Sequence, residues 1–333
     1  MTISNFLSAF TGKNDRVPVW FMRQAGRYLP QYQRLKEKYS LAALFSTPEL
    51  AAEVTCMQIP ILNVDAAILF ADILTLPSAM GAKISFDSPE GPKIEPLRNF
   101  KQLRDVDNFP KLTQTIKLVN QKLAAHIPLI GFAGGPFTVL TYLIEGGSSA
   151  TFSKTFQFMY QNPAQFSRLM DKLTRNTISY LQIQKKAGIK AFQIFDSWAG
   201  VLPAEEFQKF CVPYLNRIFH AVDLPSIYFS RNTAGLLPAL DDIDADMLSV
   251  DQSVILGSRD LLRMTKKGMQ GNLFHGLLYS DKKVIKKAVV NCLKGGIKHK
   301  KYIFNLSHGV FPDTSVDALK YIVDIIHTFR WKK

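Results

Sequence analysis

Short apolar runs recur along the chain, with little alternation between polar and apolar positions. Eight stand out, at residues 19–22, 66–70, 128–132, 191–195, 226–229, 247–250, 268–271 and 302–306. Each ends in a polar or small residue, and most are followed by a stretch of helical periodicity. Strands that are apolar throughout are covered on both faces, as in a parallel sheet flanked by helices. The spacing predicts helices over 48–61, 137–145, 163–187, 203–222, 258–266, 281–293 and 315–329. Two of these open with Thr47-Pro48 and Asn162-Pro163, a capping residue followed by proline at the first helical position. Gly188 and the Gly295-Gly296 pair stand near predicted helix ends. Eight strands alternating with helices is the count of an α/β protein of the (β/α)8 barrel type. A doubly wound open sheet would carry a glycine-rich phosphate turn after its first strand. Here the comparable stretch, Gly131 to Pro136, follows the third run and lacks the G-x-G-x-x-G spacing.

One segment breaks the rhythm. Residues 77–96, with Gly81, Phe86, Pro89 and Pro92, are predicted to form a β-hairpin or flap after the second strand. A long ordered insertion in a βα loop often helps to cover a site. No linker rich in Gly, Ser or Pro and no solenoid-length repeat interrupts the chain, so residues 1–333 are expected to form one domain.

A hydrophobic content of 47% over 333 residues allows a substantial core. No apolar run is long enough to span a bilayer, and residues 1–15 lack the pattern of a secretory signal. Three cysteines, Cys56, Cys211 and Cys292, lie too far apart for a C-x-x-C metal pair and are expected to be reduced thiols. A cytoplasmic protein without membrane attachment is the resulting expectation. The net charge of +14 raises the question of nucleic acid. Much of the lysine, however, falls between Lys282 and Lys301, where Lys282, Lys283, Lys286 and Lys287 repeat at helical spacing beside apolar Val284, Ile285, Ala288 and Val289. That is a solvated helix face without interleaved stacking aromatics, so no nucleic-acid partner is expected.

In a barrel the carboxyl ends of the strands converge on one face, where sites lie. The residues ending these runs are Arg23 with Arg27, Asp72, the Gly134-Gly135 turn, Asp196 with Ser197, Arg231, Asp251, Asn272 and His308. An aspartate after a strand is often a helix cap, and a single histidine is often a satisfied core residue. The argument rests on the whole set around one rim. Arg23 and Arg27 flank a small-residue turn, and two guanidinium forks beside a buried strand suit a ligand with several anionic groups. The sequence shows no HExxH, G-x-S-x-G or P-loop pattern. What remains is basic anchors, a lone aspartate in an apolar strand (Asp72), and hydrogen-bonding side chains such as Tyr142, Ser197 and His308.

At these residues the chain resembles the uroporphyrinogen decarboxylase family. The opening R-Q-A-G-R-Y signature stands as Arg23, Gln24, Ala25, Gly26, Arg27 and Tyr28. A second signature, a glycine turn followed by P-[FW]-T and Y-x-x-E-G-G, stands as Gly131 to Thr138 with Tyr142 and Glu145, Gly146 and Gly147. Weaker blocks surround Asp72, Asp196 and His308, in order over nearly the whole chain. The resemblance implies a homodimeric barrel of haem biosynthesis that converts uroporphyrinogen III to coproporphyrinogen III. It would remove four acetate carboxylates as CO2 without metal or organic cofactor. Carried over by position, Arg23, Gln24, Ala25, Gly26, Arg27, Asp72, Tyr142, Ser197 and His308 would be the substrate contacts, with Asp72, Arg27 and Arg23 closest to the chemistry.

The chain departs from the family pattern in three places. The block G-N-x-D-P appears as Gly271, Asn272, Leu273, Phe274 and His275; Ala71 stands where serine is common; and Ser307 stands where glycine is common before His-Gly. Two further readings follow. One is a tetrapyrrole-binding protein that has lost turnover, for which the altered loop is the support. The other is a relative that transfers methyl groups between corrinoids and thiols, which needs zinc-binding His and Cys that Cys211 and Cys292 are not spaced to supply.

Overall fold

The computed structural model describes residues 4–86, 91–95 and 100–330. Among them are nine strands: β1 (Ala67–Ile68), β2 (Ile84–Ser85), β3 (Lys93–Ile94), β4 (Leu129–Gly134), β5 (Ala191–Phe195), β6 (Ser226–Phe229), β7 (Met247–Ser249), β8 (Gly268–Gln270) and β9 (Tyr302–Ile303). Seven make one parallel sheet in the order β1-β4-β5-β6-β7-β8-β9, so each barrel strand lies beside its successor in the chain. The expected (β/α)8 architecture is borne out, with one substitution in its wall. The first predicted strand, at 19–22, is not a regular ladder. It makes a single parallel bridge, Val19 to Phe304, supported by Phe304 N–H donating to the Pro18 carbonyl at 2.9 Å. On its other side Asp65 N–H donates to the Val19 carbonyl at 2.8 Å.

Two further backbone bonds, from Trp20 N–H to the Phe304 carbonyl at 3.5 Å and from Val310 N–H to the Met22 carbonyl at 3.0 Å, and several side chains complete the connections of this run. The Gln24 carboxamide accepts from Phe21 N–H at 2.9 Å and donates to the Ala66 carbonyl at 2.8 Å. Asn305 Oδ1 accepts from Met22 N–H at 3.0 Å, and Asp65 accepts from Val19 N–H at 2.8 Å. Asp65 is itself held by Arg16 at 2.6 and 2.8 Å and by His327 at 3.3 Å, which ties the run to the C-terminal helix Val316–Thr328. Burial is the largest single effect on the Asp65 carboxyl and raises its pKa, but His327 and Arg16 together outweigh it and hold the carboxyl below its ordinary value.

Several polar side chains are buried within the strands of the barrel and bond to one another. Trp20 donates to Gln270 at 2.9 Å, and Gln270 donates to Gln193 and to Ser249, each at 2.9 Å. All four side chains are buried, so each hydrogen bond replaces one that water can no longer supply.

The predicted helices form, joined by others that the sequence pattern does not place, among them Pro30–Lys38, Pro110–Lys122, Ser153–Gln161 and Thr233–Leu240. Proline sets breaks that periodicity alone does not reveal. The helix expected over 203–222 is two, Ala204–Phe210 and Val212–Ala221, and that over 48–61 is likewise two, Pro48–Cys56 and Gln58–Leu62. Pro213 and Pro60 lack the N–H that a continuous helix needs there. The four lysines of helix Lys282–Gly296 are exposed as expected, but so is Val284, which the sequence pattern had assigned to the buried side.

After β1 the chain first forms the helix Thr75–Ala79 and only then the hairpin, so the insertion starts later than the expected boundary at 77. β2 and β3 pair antiparallel with Ile84 opposite Ile94. Residues 87–90, and Pro96 at the expected end, lie outside the described residues. The hairpin docks on the carboxyl end of helix Pro136–Glu145, where Ile94 N–H donates to the Gly146 carbonyl at 3.0 Å. Gly146 and Gly147 have φ of +84° and +154°, and a Cβ on Gly147 would lie 3.1 Å from the Pro92 carbonyl oxygen. Glu145 turns away to accept from Thr155 N–H and Oγ1, both at 2.9 Å, capping the helix Ser153–Gln161. The E-G-G signature is thereby a docking site for the hairpin and a helix cap.

If Gln24 fastens the first run, Gln24→Leu leaves Phe21 N–H and the Ala66 carbonyl buried without partners. Each orphaned group costs about 1–3 kcal/mol. The variant is expected to melt several degrees below the parent in a thermal scan, while an unchanged midpoint would remove Gln24 from this role.

Candidate functional site

At the carboxyl ends of the barrel strands lies an open cleft of about 470 Å³. Its polar lining includes Arg23 and Arg27 from the first run, Asp72 after β1, Tyr142 from helix Pro136–Glu145, Ser197 after β5 and His308 after β9. Ala25 lines it as well. Seven residues expected as contacts, from five separate stretches of chain, therefore share one cavity. Gln24 and Gly26 do not line it. Gln24 is fully buried in the barrel wall with both ends of its carboxamide bonded, and Gly26 packs beneath the Phe70 ring. Their place in the signature is structural.

The local backbone explains how the arginines reach the cleft. Arg23 and Arg27 have φ of +61° and +55°, left-handed values that cost non-glycine residues energy and persist where the surroundings enforce them. The surroundings are visible. Val310 N–H donates to the Met22 carbonyl at 3.0 Å, the Gln33 carboxamide donates to the Arg27 carbonyl, and Arg27 reaches the Val310 carbonyl at 3.5 Å. Gly309 leaves room for the Arg23 stem, since a Cβ there would lie 2.4 Å from Arg23 Cδ.

Asp72 is fixed by its own turn. Its carboxylate accepts from Leu74 N–H at 2.8 Å, and its N–H donates to Thr75 Oγ1 at 3.3 Å. Protein atoms crowd the carboxyl, and desolvation raises its pKa, opposed by the Leu74 hydrogen bond and the Arg23 charge. The Arg23 guanidinium is reachable from the cleft yet ringed by protein. Desolvation lowers its pKa, with Asp72 and Tyr142 pulling the other way and Arg231 adding to the decrease. Tyr142 is pushed up to about 12 by burial and by Asp72, and so remains a neutral hydroxyl. It stacks on Trp198 with centroids 3.8 Å apart. His308 is held down to about 4 by burial and then by Arg23, Arg231 and His275, so its imidazole is neutral in the empty cleft at neutral pH.

Not every polar strand end faces the cavity. Asp196 is buried and accepts from Thr138 N–H at 3.0 Å and from Thr138 Oγ1 at 2.6 Å, capping the neighbouring helix, whose own N-cap is Gly135. Asp251 does the same for helix Thr233–Leu240, accepting from Asn232 N–H at 2.7 Å and Thr233 Oγ1 at 2.8 Å. Asn272 donates to the Asp251 and Val254 carbonyls at 2.8 and 2.7 Å. Arg231 is exposed outside the lining, near enough for its charge to act on Arg23 and His308.

The apolar walls were not anticipated. Phe132, Phe195 and Phe229, at or near the ends of β4, β5 and β6, form an edge-to-face chain with centroids 5.5 and 5.8 Å apart. Phe45 and Phe86 line the opposite side near the hairpin, and Lys36 adds a third basic group. A phenylalanine closing one predicted strand after another was the available signal. The cavity thus combines cations for carboxylates, a central carboxyl and aromatic walls for a flat or ring-bearing ligand. Among the described residues no three His, Cys, Asp or Glu side chains group as metal ligands. Cys211 is buried, and Cys292 lies 3.4 Å from the Tyr302 hydroxyl.

Comparisons with known proteins show the family. The family model for uroporphyrinogen decarboxylase (URO-D) matches residues 1–329. A uroporphyrinogen decarboxylase from Thermodesulfovibrio yellowstonii is 44% identical, covering 98% of this chain and 98% of its own. One from Bacillus pumilus is 40% identical over 98% of this chain and 96% of its own, and one from Aquifex aeolicus is 39% identical over 94% of each. Among solved structures, a methyltransferase from Methanosarcina mazei superposes with a TM-score of 0.83 over 98% of this chain and 99% of its own, at 19% identity, which speaks for the shared fold alone. The chain belongs to the uroporphyrinogen decarboxylase family.

Proposed function

We infer from full-length family membership that this protein is a carboxy-lyase, converting uroporphyrinogen III to coproporphyrinogen III by removal of its four acetate carboxylates as CO2. We further propose that the cleft is where this happens, and that Asp72 is its electrostatic centre. The observation that carries this reading is the arrangement of a desolvated aspartate among aromatic walls, with Arg23, Arg27, Tyr142, Ser197 and His308 around it.

Loss of CO2 leaves an electron pair that needs a sink. Protonation of the pyrrole ring carbon next to the one that bears the acetate arm makes the ring cationic, with positive charge shared by the arm-bearing carbon. The bond to the carboxylate then breaks, its electrons neutralise the ring, and CO2 departs. The exocyclic methylene takes a proton to become methyl, and the ring carbon gives its proton back. One proton from solvent therefore replaces each CO2, and the substrate serves as its own electron sink. Asp72 can accept hydrogen bonds from pyrrole N–H groups, which restore the solvation that burial has removed. Its negative charge then stabilises the ring cation in a preorganised setting. Arg23 and Arg27 bind and orient carboxylate arms, and Tyr142, Ser197 and His308 complete the rim by hydrogen bonds. The whole chain is read as one working domain. Homodimerisation and a cytoplasmic location, the latter in keeping with three free cysteines, belong to the same proposal.

The test is anaerobic incubation of the purified protein with uroporphyrinogen III, with and without chelator, followed by counting product carboxylates. Seven- to four-carboxylate porphyrinogens are expected in both arms; tight binding without products would mark a carrier. Asp72→Asn keeps the shape but removes the charge, and is expected to lower kcat by about two orders of magnitude or more. Full activity in that variant would sink the role given to Asp72.

Gly309→Ala should push the Arg23 stem out of place and raise KM about tenfold, the scale of a weakened charged contact. An unchanged KM would show that Arg23 has another way into the cleft. Sedimentation at micromolar concentration should give a dimer, and a monomer there would remove that part of the proposal.

A further inference from the structure

Two positions where this chain departs from the family pattern meet in space. His275 lies in the loop after β8, and Ser307 precedes His308 after β9. The Ser307 hydroxyl oxygen accepts from the His275 backbone N–H at 3.3 Å and sits 3.0 Å from the ring Nδ1. With its one hydrogen, that hydroxyl can donate to Nδ1 while accepting from the N–H, which leaves the ring proton on Nε2. Ser307 is fully buried, and its own N–H donates to the Leu273 carbonyl at 2.7 Å, so the hydroxyl is a fixed anchor. The other contacts of the His275 ring are aromatic. Its centroid lies 4.7 Å from Phe311, 5.3 Å from Phe274 and 5.4 Å from the His308 imidazole. His308 lines the cleft and His275 does not. The second imidazole therefore stands behind the first, with its orientation set by Ser307 and Phe311.

We propose that His275, hydrogen-bonded to Ser307, is a positioning residue that holds the His308 imidazole toward the cleft for a substrate carboxylate. The proposal rests on the reading above that His308 meets the substrate. Charged and titratable groups acting on this pair are Arg23 and Arg231 on His308, and Arg231 on His275. Burial and these cations depress both imidazoles, so in the empty cleft at neutral pH two neutral rings pack together without charge repulsion. The contact between them serves orientation.

The test measures KM and kcat for uroporphyrinogen III anaerobically in four single variants and their combinations. His275→Phe keeps a ring against Phe311 and loses the bond to Ser307. Ser307→Ala loses the same bond by a smaller change and serves if the first variant folds poorly. Each is expected to raise KM about fivefold with kcat within about twofold, and the double variant should be no worse than either alone. His275→Asn, whose amide oxygen can accept from the Ser307 hydroxyl where Nδ1 did, should return KM to within about twofold of the parent. In a His308→Ala background, which itself raises KM, neither His275→Phe nor Ser307→Ala should add anything. An unchanged KM in both His275→Phe and Ser307→Ala, with KM raised in His308→Ala, would overturn the proposal and leave the reading of His308 standing. An undiminished effect of His275→Phe in the His308→Ala background would also overturn it, since the loop would then act independently of His308. If His308→Ala itself leaves KM unchanged, the reading of His308 as a substrate contact falls, and this proposal falls with it.

Discussion

The wall of this barrel is closed at residues 18–22 by a sparse set of backbone hydrogen bonds, with side chains filling the gaps where a regular ladder would ordinarily run. The backbone supplies the Val19 bridge to Phe304 and bonds at Pro18, Val19, Trp20 and Met22, and the side chains of Gln24, Asn305 and Asp65 supply the rest. A strand fastened by a continuous ladder must stay extended. A strand fastened at a few points by carboxamides and a carboxylate can turn as soon as it reaches the rim. Here it turns at Arg23 and again at Arg27, both in left-handed backbone conformations, and the two cations enter the cleft from adjacent turns. The energetic cost of those conformations is met by buried hydrogen bonds that no solvent can compete for. The R-Q-A-G-R signature is thus a closure device and, in the proposed reading, an anion site made from the same few residues, with the side chains of Gln24 and Arg23 directed to opposite tasks.

A single physical cause runs through the electrostatics of the cleft. Desolvation raises Asp72, lowers Arg23, lowers His308 to about 4 and lifts Tyr142 to about 12. Every one of these shifts favours the uncharged form while the cleft lacks a ligand. In the proposed reading, a macrocycle with N–H groups at its centre and carboxylates around its edge opposes each shift where it arises, the N–H groups at Asp72 and the carboxylates at Arg23 and His308. Complementarity of this kind favours the substrate over a generic polyanion, because carboxylates alone leave Asp72 uncompensated. The basic character of the chain adds attraction over a longer range, as the exposed lysines of Lys282–Gly296 do without any contact to the site.

Barrel class, strand order and most of the cleft were legible in the sequence because each rests on a local pattern. Apolar runs bounded by polar residues mark strands, and the polar residue after each run marks the rim. What such a pattern does not carry is direction. Asp72 and Asp196 look alike in sequence, one aspartate after one apolar strand, yet Asp72 bonds within its own turn and opens to the cleft while Asp196 reaches across to Thr138. Gln24 reads as one more polar member of a substrate loop, and only its partners in the fold, Phe21 and Ala66, show that it serves the wall. The internal layer of Gln193, Ser249 and Gln270 was missed for the same reason, since a lone polar residue inside an apolar strand has no partner until the strands are assembled. The doubled helices at Pro60 and Pro213 are a different failure, because the proline was visible and the amphipathic period was given more weight.

The strand-end acids that do not face the cleft bear on the ones that do. Asp196 and Asp251 each cap the helix that follows the preceding strand of the sheet, so every such bond joins one βα unit to the next around the rim. Asp196 is pushed up to about 6 by burial, still below neutral pH, and its ionised carboxylate accepts from Thr138 and from the Tyr228 hydroxyl at 3.4 Å. Trp198 N–H donates to the same Thr138 hydroxyl at 3.0 Å, and Trp198 stacks on Tyr142. The chain of contacts therefore runs from a structural aspartate through a threonine and a tryptophan to a cleft-lining tyrosine. Rim residues with no place in the cavity fix the angles of those that have one. A cleft whose polar groups come from five separated stretches needs that bracing, since a flexible rim would make each binding event pay again for their alignment.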